Sequence, residues 1–175
     1  IALRDCNTFI DNVDRVPDMS ISEKNRWKAE VKVLKAFFHY WLLQLYGPIP
    51  FVDKNIDVSA SPEEVKVARE PVDEVVRKIV ALIDEACEGD ALPDYIRIRD
   101  TEMGRLTKPA ALAIKAKVLA LAASPLFNGN NDFAFYKNKA GVNLINPVYD
   151  PKKWEAARDA CKEAIECALE AGHDL

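Results

Sequence analysis

The stretch AFFHYWLLQLYGPIPF, residues 36–51, decides the fold class of this chain. Of its first eleven residues, Ala36 to Tyr46, only His39 and Gln44 are strongly polar, and a Gly-Pro-Ile-Pro turn follows at once. Such a composition fits a membrane segment, an aromatic pocket, or a helix with neighbours on several sides. Because a bilayer needs about 20 apolar residues to be spanned, we reject the membrane interpretation.

The composition of the 175-residue chain is that of an ordinary globular protein, at 49% hydrophobic and 30% charged residues. The net charge is -4 and the isoelectric point about 5.3, so no basic surface is expected and nucleic acid is not expected as a partner. The first residue is Ile1, and we interpret the chain as part of a longer protein, so the lack of a targeting segment says nothing about its compartment.

Helix signals extend in both directions from the opening stretch. A capping box of Ser20 and Glu23 begins a helix that runs to about Tyr46. Thr107 fits the N-cap of a later helix, and Gly172 fits the end of the last one. The predicted helices span about residues 2–14, 24–46, 71–89, 107–124 and 151–171, and strand signals are nearly absent.

Three apolar faces are predicted from the helical spacing, and we expect Phe38 and Trp41 to lie in the core. The face of the second long helix contains Val72, Val75, Val76, Ile79, Val80, Ile83, Ala86 and Cys87. The face of the first long helix contains Trp27, Val31, Leu34, Phe38 and Trp41. The face of the last helix contains Trp154, Ala157, Cys161, Ala164, Ile165 and Ala168. The four cysteines, Cys6, Cys87, Cys161 and Cys167, lack the spacing of a metal or redox motif, so each is expected to be a small core residue.

The order of helix types indicates an internal repeat. A mostly apolar helix is followed by a one-faced helix, twice, and residues 35–47 match residues 115–127 in pattern at an offset of 80. No such pair buries its apolar face alone, so the pairs are expected to stack. The predicted fold is all-α, with about five helices in tetratricopeptide-like stacked hairpins that form an α–α superhelix.

We expect residues 1–175 to form one such helical region, part of a larger protein. Its two repeat units are predicted at about residues 20–89 and 107–172. The loops within them, 47–70 and 125–150, are much longer than in ordinary repeats of this class, and long loops on a rigid scaffold commonly carry binding sites.

Four segments, in order, resemble the SusD/RagB family. WKAEVKVLKAFFHYWLLQLYGPIPFVD (27–53) resembles its first repeat helix with a Gly-x-x-Pro exit, and EPVDEVVRKIVALIDEA (70–86) resembles the helix that follows. GRLTKPAALAIKAKVLALAASPLFNG (104–129) is similar to its Gly-Arg-x-Thr segment and alanine-rich helix. YDPKKWEAARDACKEAIECA (149–168) resembles the next helix. Each motif is weak by itself, and the four in order are specific.

This resemblance implies a function. Family members are lipoproteins of the Bacteroidetes outer membrane that bind glycans or other nutrients without catalysis and cover a TonB-dependent, SusC-like transporter. It therefore implies an oligo- or polysaccharide ligand, surface exposure, no cofactor, and membrane attachment only through a lipid anchor upstream of residue 1. Cys6 lies in a predicted helix and lacks a preceding apolar signal, so it is not the lipid-bearing cysteine.

No catalytic or metal-binding constellation is present in the sequence. His39 is interpreted as a buried imidazole with satisfied hydrogen bonds, and His173 as a cation at a helix end. Arg105 precedes a helix, where it fits either an anion site or, as we prefer, a pair with a carboxylate. No cofactor is expected.

The loop of residues 128–150 is the candidate binding surface because it combines asparagines with aromatic residues. Sugars are bound by flat apolar faces and by planar amides that pair with hydroxyls. The candidate ligand-binding residues are Asn130, Asn131, Phe133, Tyr136 and Tyr149. In the alternative, these aromatic rings fold inward as a small core of the loop itself.

Two other functions remain open on the sequence. A tetratricopeptide-type scaffold would bind a peptide in its groove, but such arrays keep tight repeats, unlike this chain. An all-α hydrolase or transferase would need a nucleophile and base from outside these 175 residues.

Overall fold

The computed structural model describes residues 1–174 and contains six α-helices. They are α1 (Ala2–Asn12), α2 (Ile21–Tyr46), α3 (Val72–Cys87), α4 (Arg99–Glu102), α5 (Lys108–Ala123) and α6 (Lys152–Glu170). Short 3-10 turns lie at Val13–Arg15 and Asn131–Phe133. Within residues 1–174 there is no β-strand, so the all-α prediction is confirmed and the four-residue α4 is an addition to the five predicted helices. No helix in this range is both long and apolar enough to cross a lipid bilayer.

The helix ends follow the predicted local signals. The Ser20 hydroxyl accepts from the Glu23 backbone N–H at 3.2 Å, and the Glu23 carboxylate accepts from the Ser20 N–H at 2.9 Å, which completes the capping box. The Thr107 hydroxyl accepts from the Ala110 N–H at 3.4 Å at the start of α5. After α6, Gly172 has φ +79°, a left-handed conformation that ends the helix.

The two long hairpins are antiparallel and stack through α3 and α5. In the first hairpin, Lys32 of α2 pairs with Glu85 of α3 at 2.9 Å. Between the hairpins, Lys115 of α5 bridges Asp84 of α3 at 2.8 Å and Glu163 of α6 at 2.9 Å. The loops of residues 47–71 and 124–151 therefore leave from the same end of the helices, here called the loop end.

Small residues let the helices approach one another. The core face of α2 consists of Ala29, Val33, Ala36, Tyr40 and Leu43. It packs against the β-branched face of α3, formed by Val72, Val75, Val76, Ile79 and Ile83. From α5, Ala111, Val118 and Ala122 complete this core. Burial of these apolar side chains is the main stabilising contribution to the fold.

The predicted apolar face of α2 is wrong as a core face. Trp27, Leu34 and Trp41 are 43%, 40% and 54% exposed, and Phe38 is only partly buried. The expectation that Trp41 lies in the core is therefore also wrong. The reason is steric, because α3 packs on the side of α2 that carries Ala29 and Ala36 rather than on the side with the largest rings.

The predicted face of α6 is likewise rotated. Ala157 and Ala160 are its buried residues, whereas Trp154 and Ile165 are 47% and 43% exposed. Cys161 is exposed as well, so the expectation of a core cysteine is wrong at that position. Cys6 is buried, Cys87 and Cys167 are partly buried, and all four thiols are free. Burial raises the pKa of the Cys87 thiol to about 11.

Candidate functional site

The loop of residues 124–151 is clamped at its two ends by one buried amide. Asn128 is 5% exposed. Its Nδ2 donates to the Asp150 carbonyl at 3.0 Å, and its Oδ1 accepts from the Asp150 N–H at 2.8 Å. Because the amide both donates and accepts a hydrogen bond, it holds the start and end of the loop together at the N-terminus of α6.

Gly129 allows the two arms of the loop to touch. It has φ +80°, and a Cβ added there would lie 2.9 Å from both Cα and Cβ of Tyr149. Only glycine combines this backbone conformation with so close an approach. The Tyr149 side chain, next to this contact, is 59% exposed.

The middle of the loop is a small hairpin. Residues Lys137 and Asn143 form an antiparallel bridge, and the Leu144 N–H donates to the Tyr136 carbonyl at 2.9 Å. Leu144 and Ile145 are both 3% exposed, so the returning arm enters the protein core. The hairpin is therefore anchored to the core by two apolar side chains.

The predicted aromatic residues of this loop divide between core and surface. Phe133 packs against the main core cluster, as the inward-folding alternative expected. Tyr136 is partly buried, and Tyr149 is exposed. Phe135, which is not among the candidate residues, is the most exposed aromatic side chain of the loop at 78%. The rings that face solvent are thus Phe135 and Tyr149.

The two predicted asparagines differ in their freedom to bind. The Asn130 Oδ1 accepts from the Asp132 N–H at 3.0 Å, and its Nδ2 donates to the Leu126 carbonyl at 3.2 Å. Both polar atoms of this amide are therefore hydrogen-bonded within the loop, one to the 3-10 turn that follows and one to the residues before it. Asn131 is exposed at the first position of that turn. Of the two, Asn131 is better placed to meet a ligand.

Arg69, which the sequence did not single out, joins the two long loops. Its guanidinium donates a hydrogen bond to the Tyr136 hydroxyl, and its Cζ lies 5.9 Å from the centroid of the Tyr136 ring. Nearby, the Val72 N–H donates to the Leu144 carbonyl at 2.9 Å. The loop end thus presents a cation partnered with a tyrosine, and the exposed rings of Phe135 and Tyr149 belong to the same loop as that tyrosine.

A pair of stacked rings, the buried His39 and the partly buried Phe51, joins the loop of residues 47–71 to α2. His39 and Phe51 stack with ring centroids 4.1 Å apart, and Lys78 Nζ lies 5.2 Å from the Phe51 centroid. Lys78 also pairs with Glu70 at 2.7 Å. These contacts hold the loop of residues 47–71 against the ends of α2 and α3.

His39 is a structural residue, as the sequence predicted. Its Nδ1 lies 2.8 Å from the Lys35 carbonyl, to which it donates, and its Nε2 accepts from the Val52 N–H at 3.0 Å. The ring is fully buried, and this burial lowers its pKa to about 4. The imidazole is therefore neutral and fully hydrogen-bonded at pH 7, with no free nitrogen for acid–base work.

Arg105 lies at the opposite end of the helices in a network of charges. Its Nη2 is 2.9 Å from Glu30 and its Nη1 is 3.1 Å from Glu102. Arg26 contacts both carboxylates, at 3.3 Å and 2.7 Å. The interpretation of Arg105 as a pairing residue rather than an anion site is confirmed.

Within residues 1–174, no group of three or more His, Cys, Asp or Glu side chains is arranged to hold a metal.

A family model described as "Starch-binding associating with outer membrane", SusD-like, matches residues 1–119. The chain belongs to the SusD-like family. The match covers the first hairpin and most of α5, which agrees with the resemblance found in the sequence. Comparison with curated protein sequences gives no match.

Solved structures support the same family. A protein named BT4246 is 33% identical, with a TM-score of 0.86 over 97% of this chain and 29% of its own. The SusD-like protein BF3747 from Bacteroides fragilis is 25% identical, with a TM-score of 0.67 over 99% of this chain and 26% of its own. A laminarin-binding SusD-like protein is 26% identical, with a TM-score of 0.59 over 74% of this chain and 25% of its own. The chain thus spans less than a third of the length of these relatives.

Proposed function

We propose that this chain is part of a non-catalytic, glycan-binding component of an outer-membrane uptake system. The observation that carries the proposal is membership of a family described as starch-binding and associated with the outer membrane. A relative with 26% identity over most of this chain binds laminarin, a polysaccharide. We take an oligo- or polysaccharide as the ligand of the full-length protein.

Residues 1–175 form the helical, repeat-containing region of that protein in this proposal, with repeat units at about 20–89 and 107–172. The paired hairpins α2/α3 and α5/α6 support this division. The helices act as a rigid base, and the loop end supplies contacts to the ligand.

The loop end supports a contribution to sugar binding from several groups. The exposed rings of Phe135 and Tyr149 offer apolar faces to sugar C–H groups. The exposed amide of Asn131 and the guanidinium of Arg69 can hydrogen-bond to hydroxyls. Phe133 and Asn130 support the loop from beneath, and Tyr136 joins it to Arg69.

Calorimetric titration of the full-length protein with a panel of polysaccharides tests the proposal. Tyr149→Ala and Phe135→Ala, each in the full-length protein, should weaken binding by about tenfold, the size of one lost aromatic contact. Tyr95→Ala is the matched control, because Tyr95 is 47% exposed on the loop between α3 and α5, at the opposite end of the helices. Equal affinity of all three variants would remove the loop end from the binding site.

The remaining parts of the proposal concern the partner and the membrane. We propose a TonB-dependent, SusC-like transporter as partner and a lipid anchor upstream of residue 1, with the protein exposed at the cell surface. Purification of the full-length protein from outer membranes should bring the transporter with it, and protease added to intact cells should cleave the protein. Incubation with a bound oligosaccharide should release no new reducing ends, and their appearance would count against a purely binding role.

A further inference from the structure

The second half of α2 carries an apolar stripe that the described part of the chain covers only in part. The stripe consists of Leu34, Phe38, Trp41 and Leu45, spaced by four, three and four residues so that all lie on one side. Leu34, Trp41 and Leu45 are 40%, 54% and 60% exposed. At 100° per residue, this side of the helix is turned away from the core residues Ala36 and Tyr40.

The exposed side of α2 lacks the charges that a solvent-facing helix carries. From Ala36 to Tyr46 there is no Lys, Arg, Asp or Glu. The preceding Lys35 is 4% exposed, and its Nζ donates to the Asp53 carbonyl at 2.5 Å. A helix that is apolar all round is normally buried all round. The stripe is therefore an unpartnered packing surface rather than a solvated face.

Part of the cover for α2 is already visible. α1 packs along α2, where Phe9 stacks on Trp27 with ring centroids 6.2 Å apart, and Asp14 of the following 3-10 turn pairs with Lys28 at 2.6 Å. Trp27 lies seven residues before Leu34, at nearly the same angle around the helix. An intramolecular cover thus begins at the N-terminal end of the stripe and does not extend to Trp41.

The solved relatives indicate how much chain is available to complete this cover. BT4246 aligns with 97% of this chain using 29% of its own length, so most of that protein lies outside the shared region. The same holds for BF3747, with 26%. We expect this stripe to be covered by another segment of the same molecule, because a segment on the same chain is present at high effective concentration.

We infer that the stripe of Leu34, Phe38, Trp41 and Leu45 is an intramolecular interface, covered in the full-length protein by polypeptide outside residues 1–175. The helical region is then the base on which the rest of the protein packs through α2. This inference concerns packing and goes beyond the proposed function, because it holds whether or not the loop end binds a glycan.

Hydroxyl-radical footprinting of the unsubstituted full-length protein tests the inference without risk of misfolding. Trypsin releases residues 36–54 as one peptide, so oxidation at Trp41 can be read by fragmentation. We expect Trp41 to react at least about tenfold more slowly in the folded protein than in denaturant. A rate near half that of the unfolded protein, in line with its 54% exposure, would overturn the inference.

The same measurement distinguishes an intramolecular cover from a second copy of the protein and from a partner protein. Protection that rises with protein concentration would assign the stripe to a second copy, and protection that needs the added transporter would assign it to a partner; either result overturns the inference.

As a second arm, Leu45→Lys in the full-length protein should increase Trp41 oxidation severalfold. Val58→Lys is the control, because Val58 lies in a loop and is 94% exposed, and it should change nothing. Equal oxidation in the two variants also overturns the inference.

Discussion

Asn128 holds the backbone of Asp150 from both directions, donating to its carbonyl at 3.0 Å and accepting from its N–H at 2.8 Å. This pair joins two positions that are 22 apart in the sequence with a single side chain. The contact lies at the N-terminus of α6, so it fixes the loop and the second hairpin together. Its removal should affect the stability of the whole helical region.

Asn128→Ala is expected to lower the free energy of unfolding of the full-length protein by about 2 kcal/mol, because buried backbone groups of Asp150 lose their partners. Urea unfolding measures the change. Asn138→Ala is the control, since Asn138 caps only the exposed hairpin turn through the Ala140 and Val142 N–H groups. Its cost should stay below about 1 kcal/mol. Similar losses of unfolding free energy in the two variants would contradict the role given to Asn128 in holding the two ends of the loop together.

Gly129 and Gly141 form a second matched pair. Both have φ near +80°, but a Cβ on Gly129 would meet Tyr149 at 2.9 Å, whereas a Cβ on Gly141 would meet open space. Gly141→Ala should cost about 1 kcal/mol from backbone strain, and Gly129→Ala about 3 kcal/mol because the Tyr149 backbone must also move. Thermal unfolding of both variants checks the difference, and the explanation fails if they unfold at the same temperature.

His39 should make the protein less stable in mild acid. Its pKa is about 4 in the folded state and 6.5 in the unfolded state, because burial disfavours the charged ring. The unfolded chain therefore takes up a proton first as the pH falls. About 3 kcal/mol of stability is lost between pH 6.5 and 4, and no more below that from this group.

Comparison with His39→Gln isolates this effect, since the full-length protein contains other titrating groups, including Asp53 and Glu70 near the ring. Urea unfolding from pH 7 to pH 4 should show a steeper decline for the unsubstituted protein than for the variant. If both proteins lose stability in parallel, His39 is not the source of the acid sensitivity.

Lys115 should contribute to the stacking of the two hairpins. Burial alone would lower its pKa, but hydrogen bonds to Asp84 and Glu163 raise it overall, so the amine stays charged between them. Lys115→Met should cost about 1 kcal/mol, since both carboxylates are half exposed and screened by solvent. Lys117→Met, at an exposed position of the same helix, should cost nothing measurable. The difference should shrink in 1 M salt, and a salt-independent difference would point to packing instead.

The positions of the helices could be predicted because their signals are local. The capping box of Ser20 and Glu23 and the cap of Thr107 are decided within four residues of chain. The buried face of α3 could also be predicted, because Val72, Val76 and Ile79 are core residues as their helical spacing indicates. The buried faces of α2 and α6 could not, because they depend on which side a neighbour approaches. In α2 the large rings dominate the apolar pattern, whereas α3 selects the side with Ala29 and Ala36, where the backbones can come close.

The conformation of the candidate loop could be predicted only in part. Long loops on repeat hairpins indicated residues 128–150, and the aromatic and amide content named the residue types. The Asn130 side-chain amide is hydrogen-bonded within the loop, and Phe135 rather than Phe133 faces solvent. The contact of Arg69 with Tyr136 spans 67 positions in sequence, so only the folded chain brings it together.

The common exit of both long loops at one end of the hairpins has a consequence for how this family diversifies. Substitutions and insertions near residues 138–142 leave the helix packing untouched, provided that the Asn128 clamp and the anchors Leu144 and Ile145 persist. If the loop binds ligand as proposed, residues that contact the ligand can change there without any change in the helical scaffold.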